Sequence, residues 1–242
     1  MPSIKSSFTV SGITVELVRK NIKNLHLGVY PPHGRVRIAV PLHIGDEAAR
    51  LAVIKKLPWL RRQIHEFGQQ SRLSQADAVT GESWYLFGRR LRLRVVATNG
   101  RTEVVVPNKT RIELHVRPGA SREARLAALD RWYRTQLRIE AVTIFEKWES
   151  VLGVKPQFWG VKRMKTKWGS CNHKTKRIWL NSELAKKPPK CLEYVIVHEL
   201  LHLIEPGHGE RFVSLLDKHF PHWQEIRDML NSNPLAHENW TY

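Results

Sequence analysis

The chain has 242 residues, 42% of them apolar and 26% charged, with nine Trp, seven Phe and five Tyr. That composition excludes a disordered chain and leaves room for one large or two modest domains. Lys and Arg number 40 against 22 Asp and Glu, a net charge of +18, which suits a polyanionic partner or neighbour such as DNA.

The charge is unevenly divided. Residues 1–118 hold 20 basic and 8 acidic side chains, residues 119–190 hold 17 and 6, and residues 191–242 hold 3 and 8. A protein that only coats nucleic acid has no need of that division. No apolar run approaches the roughly 18 residues of a membrane span, and residues 1–10 lack the apolar centre of a secretory signal. Two cysteines, Cys171 and Cys191, make no disulfide framework, so the expected setting is a reducing cytoplasm.

In chain order, Phe8, Val10, Ile13, Val15 and Leu17, then Leu25, Leu27 and Val29, then Val36, Ile38 and Val40 fall near every second position. Gly12, Lys20–Asn24 and Pro31-Pro32-His33-Gly34 are turn signals between them, and Pro41 follows the last. The pattern predicts three short antiparallel strands. Asp46 is an N-cap or first-turn acid for a helix on which Ala48, Leu51, Ile54, Leu57, Ile64 and Phe67 recur, and Pro58 should split it, with Trp59 opening the second piece.

Residues 84–95 alternate again around a turn expected at Gly88-Arg89-Arg90, and residues 104–106 and 112–116 read as two more strands. Arg117-Pro118-Gly119 breaks the pattern and sets a boundary near residue 119. Beyond it, Ser121 caps a helix carrying Leu129, Trp132/Tyr133, Leu137, Ala141, Phe145, Trp148 and Leu152, about eight turns long. Residues 158–181 read as a β-hairpin with a long basic loop, and a helix begins at about Cys191. No residue repeat is visible. The organisation expected is α+β: a β-rich basic part over 1–118 with a helical insertion, and a second domain over 119–242.

The chemistry concentrates in Cys191–Phe212, which contains His198-Glu199-Leu200-Leu201-His202 and then His208. Histidines at i and i+4 lie about 40° apart around a helix and roughly 6 Å along it, so both imidazoles reach one ion. Glu199 flanks the same face. It is badly placed as a third ligand beside both histidines and well placed as a general base toward a water in the site. On a continuous helix His208 would point away. Pro206-Gly207 lets the chain turn and return it to the ion. Three neutral imidazoles make an open, catalytic type of zinc site. Glu205, at i+3 from His202, is an alternative third ligand or a supporting carboxylate.

This segment, followed by Phe212 and preceded by Trp168-Gly169-Ser170-Cys171 and Ile178-Trp179-Leu180-Asn181, resembles the YgjP-like branch of the SprT-like zinc metallopeptidases. The likeness is most specific over 157–223. It implies a zincin-like C-terminal domain with a long packing helix, a small antiparallel sheet and a metal-binding helix. It also implies one zinc ion on His198, His202 and His208, Glu199 as the general base, and a protein or peptide substrate. The histidine spacing equals that of the metzincins, but Glu205 stands where their pattern has Gly and no Met-turn follows.

Candidates for an oxyanion donor are His219, His222, Arg211, Tyr133 and Tyr242. Trp168-Gly169-Ser170-Cys171 can wall the cleft and offer a strand edge to an extended substrate, or be a packed Trp and a tight turn. Cys171 and Cys191 read as small hydrophobes, with a nucleophile or a fourth zinc ligand as the alternative for Cys171. Lys162–Lys167 and Lys174–Arg177 bracket Trp168 and can hold phosphate beside a stacked base, or form a solvated face. SprT-like relatives include proteases acting on DNA-bound proteins. Arg89-Arg90-Leu91-Arg92-Leu93-Arg94 is most simply a strand with an arginine face in solvent. The functions in view are a zinc endopeptidase, a nucleic-acid-binding protein with a structural or inactive zinc site, and zinc hydrolysis of a non-peptide bond.

Overall fold

The computed structural model describes residues 5–30, 34–69, 76–164 and 167–232. The expected turn at Pro31-Pro32-His33, Lys165 and Thr166 of the basic loop, and Tyr242 lie outside the described residues. The fold is α+β. It divides into two compact units, within Met1–Leu73 and within Ser74–Leu235. Among the described residues no helix is long and apolar enough to cross a membrane.

The first unit has four strands, β1 (Lys5–Val10), β2 (Ile13–Lys20), β3 (His26–Tyr30) and β4 (Arg35–Pro41), rather than three. Ser11 and Gly12, both at positive φ (48° and 80°), make the two-residue turn that separates β1 from β2. The sheet order is β1-β2-β4-β3, with β2 and β4 parallel, so the antiparallel expectation is corrected at its centre. Pro41 closes β4 instead of lying beyond it. The predicted helix is split: α1 (Asp46–Lys55) starts after Gly45, and α2 (Leu57–Gln69) has Pro58 at its second position. Val15, Leu17, Val36, Ile38 and Val40 bury one sheet face against Ala49, Val53 and Leu60.

The second unit opens with β5 (Ser83–Leu86), β6 (Arg89–Ala97), β7 (Glu103–Asn108) and β8 (Arg111–Val116). Their order is β5-β6-β8-β7, with β6 and β8 parallel. This is the strand order and pairing of the first sheet, a topological repeat that no residue pattern discloses. The β5–β6 turn is Phe87-Gly88, both at positive φ, so Arg89 and Arg90 belong to the strand. The arginines of β6 alternate with buried Leu91 and Leu93, as expected for an outward arginine face.

Helix α3 (Arg122–Leu152) is capped by the Ser121 hydroxyl, which accepts from the Ala124 N–H at 3.2 Å, and ends at Gly153 in the left-handed region. Its buried stripe, from Ala128 and Leu129 through Tyr133, Leu137, Ala141 and Phe145 to Trp148, follows the predicted period. The third sheet comprises β9 (Phe158–Lys162), β10 (Gly169–Asn172) and β11 (Arg177–Asn181), ordered β10-β11-β9. The antiparallel hairpin is β10–β11 alone, and β9 runs parallel to β11. A 3-10 helix (Ser182–Lys186), α4 (Pro189–Leu201), α5 (Glu210–His219) and α6 (Trp223–Ser232) follow.

The boundary expected near residue 119 falls inside this unit, for a physical reason. Leu91, Leu93, Ile112 and Leu114 share one core with Leu129, Tyr133 and Leu137 of α3 and with Leu192, Ile196 and Leu200 of α4. The β5–β6 turn is also bonded into the segment before α4: Phe87 N–H donates to Ala185 O at 2.7 Å, and Gly88 N–H to Lys186 O at 3.3 Å. A Cβ on Gly88 would lie 3.2 Å from the Pro188 Cα. A chain beginning at residue 119 is therefore expected to lack a cooperative thermal transition, while one beginning at residue 74 keeps it. A sharp near-UV dichroism transition in the shorter chain would contradict the shared core.

Candidate metal centre

Helix α4 is apolar almost all round, with Cys191, Leu192, Tyr194, Val195, Ile196, Val197, Leu200 and Leu201 buried. A helix with that pattern belongs in a core, and it carries His198, Glu199 and His202 inward with it. The two histidine rings sit one turn apart with centroids at 4.9 Å. The helix ends at Leu201, with His202 as its C-cap, and tightens there: Leu203 N–H donates to Leu200 O, and Ile204 N–H to Leu201 O, both at 2.9 Å. The chain thus leaves the helix before Pro206-Gly207, not at it. His208 returns with its Nε2 3.1 Å from the His198 Nε2.

The ligand-competent nitrogens of His198, His202 and His208 all lie within 4.8 Å of one another. The Phe212 ring underlies all three, at 5.0, 4.7 and 4.9 Å from their centroids, and is 1% exposed. His202 Nδ1 lies 3.2 Å from the Glu205 carbonyl oxygen. A carbonyl only accepts, so Nδ1 carries the proton in this bond and Nε2 keeps its lone pair for an ion. Burial, with His202 and His208 nearby, pushes His198 down to about 3, and burial also lowers His202. Both rings are therefore neutral near pH 7, the state that binds a metal.

Glu199 is 5% exposed, and its Oε2 is buried without a hydrogen-bond partner among the described residues. Burial pushes its carboxyl up to about 8, against the pull of Lys167. Its side chain lies against Gly169, where a Cβ would come 2.7 Å from Glu199 Cγ and closer still to Oε1. Asn181 fixes the loop leading into β10: its Nδ2 donates to the carbonyls of Met164 (2.9 Å) and Lys167 (2.8 Å). The three histidines and Glu199 line a cleft of about 420 Å³ together with Lys167, Trp168, Gly169, Ser170 and Cys171.

Among the described residues the alternative ligand Glu205 and the candidate donors lie outside the cleft lining, whereas Cys171 is part of it. Glu205 Oε2 is 3.8 Å from Arg211 Nε, and neither Glu205 nor Arg211 lines the cleft. Tyr133 is buried and donates its hydroxyl to Tyr85 O at 2.7 Å, and His222 pairs with Glu225 at 3.5 Å. His219 is also absent from the cleft lining. Burial, followed by the Glu199 charge, raises the Cys171 thiol to about 11, and Cys191 is fully buried. The residues unforeseen from sequence are Tyr194, His173, Arg227 and Leu230, which also face the cleft. Tyr194 could have been found, since it precedes His198 by four and so shares its helix face.

The family model described as YgjP-like, metallopeptidase domain, matches residues 23–233. No curated protein matches. Among solved structures, the metallopeptidase zymogen abylysin of Pyrococcus abyssi is 22% identical, with a TM-score of 0.34, covering 36% of this chain and 89% of its own. The zymogen jannalysin of Methanocaldococcus jannaschii is 28% identical, with a TM-score of 0.34, covering 36% and 90%.

Gly169→Ala is expected to lower stability by about 1–3 kcal/mol, because the added methyl must displace a buried carboxyl. An unchanged urea midpoint would contradict the contact.

Proposed function

The chain belongs to the YgjP-like metallopeptidase family, and from that premise we propose that it hydrolyses peptide bonds with a zinc ion on His198, His202 and His208 and with Glu199 as general base. The observation that carries this reading is the convergence of three imidazoles beside a buried, half-unpartnered carboxyl in one cleft. Three imidazole nitrogen donors with no fourth protein ligand among the described residues suit a catalytic zinc. When bound, zinc is a Lewis acid that polarises a carbonyl and acidifies water.

Glu199 supplies the proton traffic. Its carboxylate takes a proton from the attacking water as the water oxygen bonds to the peptide carbon. The resulting carboxylic acid gives that proton to the departing amine nitrogen as the C–N bond breaks. A carboxyl raised toward neutral pH is poised for both halves of that exchange. His202 is held in one tautomer by the Glu205 carbonyl, and Gly169 leaves the space in which Glu199 lies. The long helix α3, the small mixed sheet and α4 support reading this part as zincin-like. Among the described residues β10 pairs only with β11 within its sheet, and β10 lines the cleft, so an extended peptide can add as a strand along that edge. The two unpaired thiols suit a reducing compartment.

Glu199→Gln is expected to retain zinc and to lose peptide hydrolysis by 10²-fold or more, about what a general base contributes. Turnover of casein or a fluorogenic peptide at the unaltered rate would remove Glu199 from this role.

A second reading, that the chain also binds nucleic acid, draws on the outer face of the third sheet. Residues 155–177 contain eight Lys or Arg and no Asp or Glu. Lys162 Nζ lies 4.5 Å from the Trp179 ring centre and Arg177 Cζ 4.9 Å from that of Phe158, with the two rings 5.3 Å apart. Aromatic rings edged by cations suit stacked bases and phosphates. Retention on single-stranded DNA should fall steeply with salt and weaken in Lys162→Ala and Arg177→Ala. No retention at low salt would end this reading.

A further inference from the structure

The peptidase reading leaves one end of the cleft without a task. One helical turn before His198, Tyr194 and Val195 of α4 face the cavity, and Arg227 and Leu230 of α6 line it beside them. Trp223 braces this wall. Its ring stacks on Tyr194 at 6.4 Å and 7°, and the Arg227 guanidinium carbon lies 5.1 Å from its centre. Arg227 is one of only three Lys or Arg in the acidic segment 191–242, and it lines the cavity.

Lys167 and Arg227 both line the cleft, and Glu199, folded down against Gly169, is the only lining carboxylate among the described residues. Arg227 directs Nε and Nη2 at the Oδ1 of Asp228, both at 2.9 Å, in a pair that is 44% and 67% exposed. A single oxygen occupies one edge of a guanidinium fork, leaving the Nη1–Nη2 edge for a second carboxylate. The Tyr194 hydroxyl, within electrostatic reach of Arg227 and also of Glu199 and Asp228, has no hydrogen-bond partner among the described residues. A phenol and a guanidinium on one wall, flanked by apolar Val195 and Leu230, match a carboxylate on a short methylene stem.

We propose that Arg227 and the Tyr194 hydroxyl form a carboxylate-binding subsite that makes this enzyme select peptides with a carboxylate next to the bond it cuts. The proposal rests on the peptidase reading for its use, but the binding does not depend on turnover. The carboxylate has two possible sources, an acidic side chain or the α-carboxylate of a substrate's last residue. The second source would make the enzyme act at chain ends.

The test uses matched peptides with Glu, Gln or Lys at each position flanking the cleaved bond, each with a free and an amidated C-terminus. Cleavage by the zinc-loaded wild type is compared with that by Arg227→Glu and Tyr194→Phe. The same peptides are also bound to zinc-loaded Glu199→Gln, with and without Arg227→Glu, and the retained fraction is identified by mass spectrometry. Glu should be preferred over Gln about tenfold or more at one position, the scale of one hydrogen bond to a charged group. Arg227→Glu should reverse that preference toward Lys, and Tyr194→Phe should narrow it. A preference for Glu that survives amidation assigns the side-chain source, and a preference that follows the free terminus assigns the α-carboxylate. Cleavage with no discrimination between Glu and Gln and none between free and amidated ends overturns the subsite and leaves the peptidase standing. Arg227-dependent retention of carboxylate peptides without any cleavage overturns the peptidase and leaves the subsite. Neither cleavage nor carboxylate-selective retention overturns both.

Discussion

Burying polar groups on an apolar helix is the constraint around which the second unit is built. Glu199, at 5% exposure, and the Nδ1 of His198 lie in a core where Ile196, Val197, Leu200 and Leu201 are their neighbours in sequence. A buried polar atom left without a partner costs about 1–3 kcal/mol, so such atoms persist only where something else requires them. Lys167 offsets part of that cost, while Gly169 and Phe212 shape the space around it. Gly169 removes the methyl that would fill the carboxyl's space, Lys167 places a positive charge nearby, and Phe212 covers the underside of the histidine cluster. Unpartnered buried polar atoms concentrated this way fit the proposed catalytic site.

Holding that geometry is the task of elements remote from it. Asn181 ties down the backbone of the loop entering β10, which keeps Gly169 against Glu199. The β5–β6 turn bonds to Ala185 and Lys186, which fixes the 3-10 helix that feeds α4. Phe87 accepts a positive φ at that turn, so the contact costs backbone energy as well as space. Helix α4 is therefore positioned by the β5–β6 turn, acting through the 3-10 helix, as well as by its own neighbours. This explains why the compact unit begins near residue 74 rather than 119.

What was legible in the sequence followed local periodicity. The stripe of α3, its Ser121 cap, the alternation of β2 and β4 and the inward spacing of His198 and His202 each depend on residues a few positions apart. Pairing partners were not legible. Nothing local distinguishes β9 lying parallel to β11 from β9 forming a hairpin with it, since both place Val161 and Leu180 inside. The shared topology of the two four-stranded sheets was hidden for the same reason, because it is carried by strand order and not by residue identity. The described candidate donors chosen by residue type, Tyr133, Arg211, His219 and His222, do not line the cleft. Arg227 came into it only because α6 packs on α4, and Tyr194 because it shares a face with His198.

The central claim is that His198, His202 and His208 hold one catalytic ion. Elemental analysis of the purified protein, wild type beside His208→Ala, tests it most directly. About one zinc per chain is expected in the wild type, with its loss or sharp weakening in the variant. No zinc in the wild type after reconstitution, or an undiminished zinc content in His208→Ala, would contradict it.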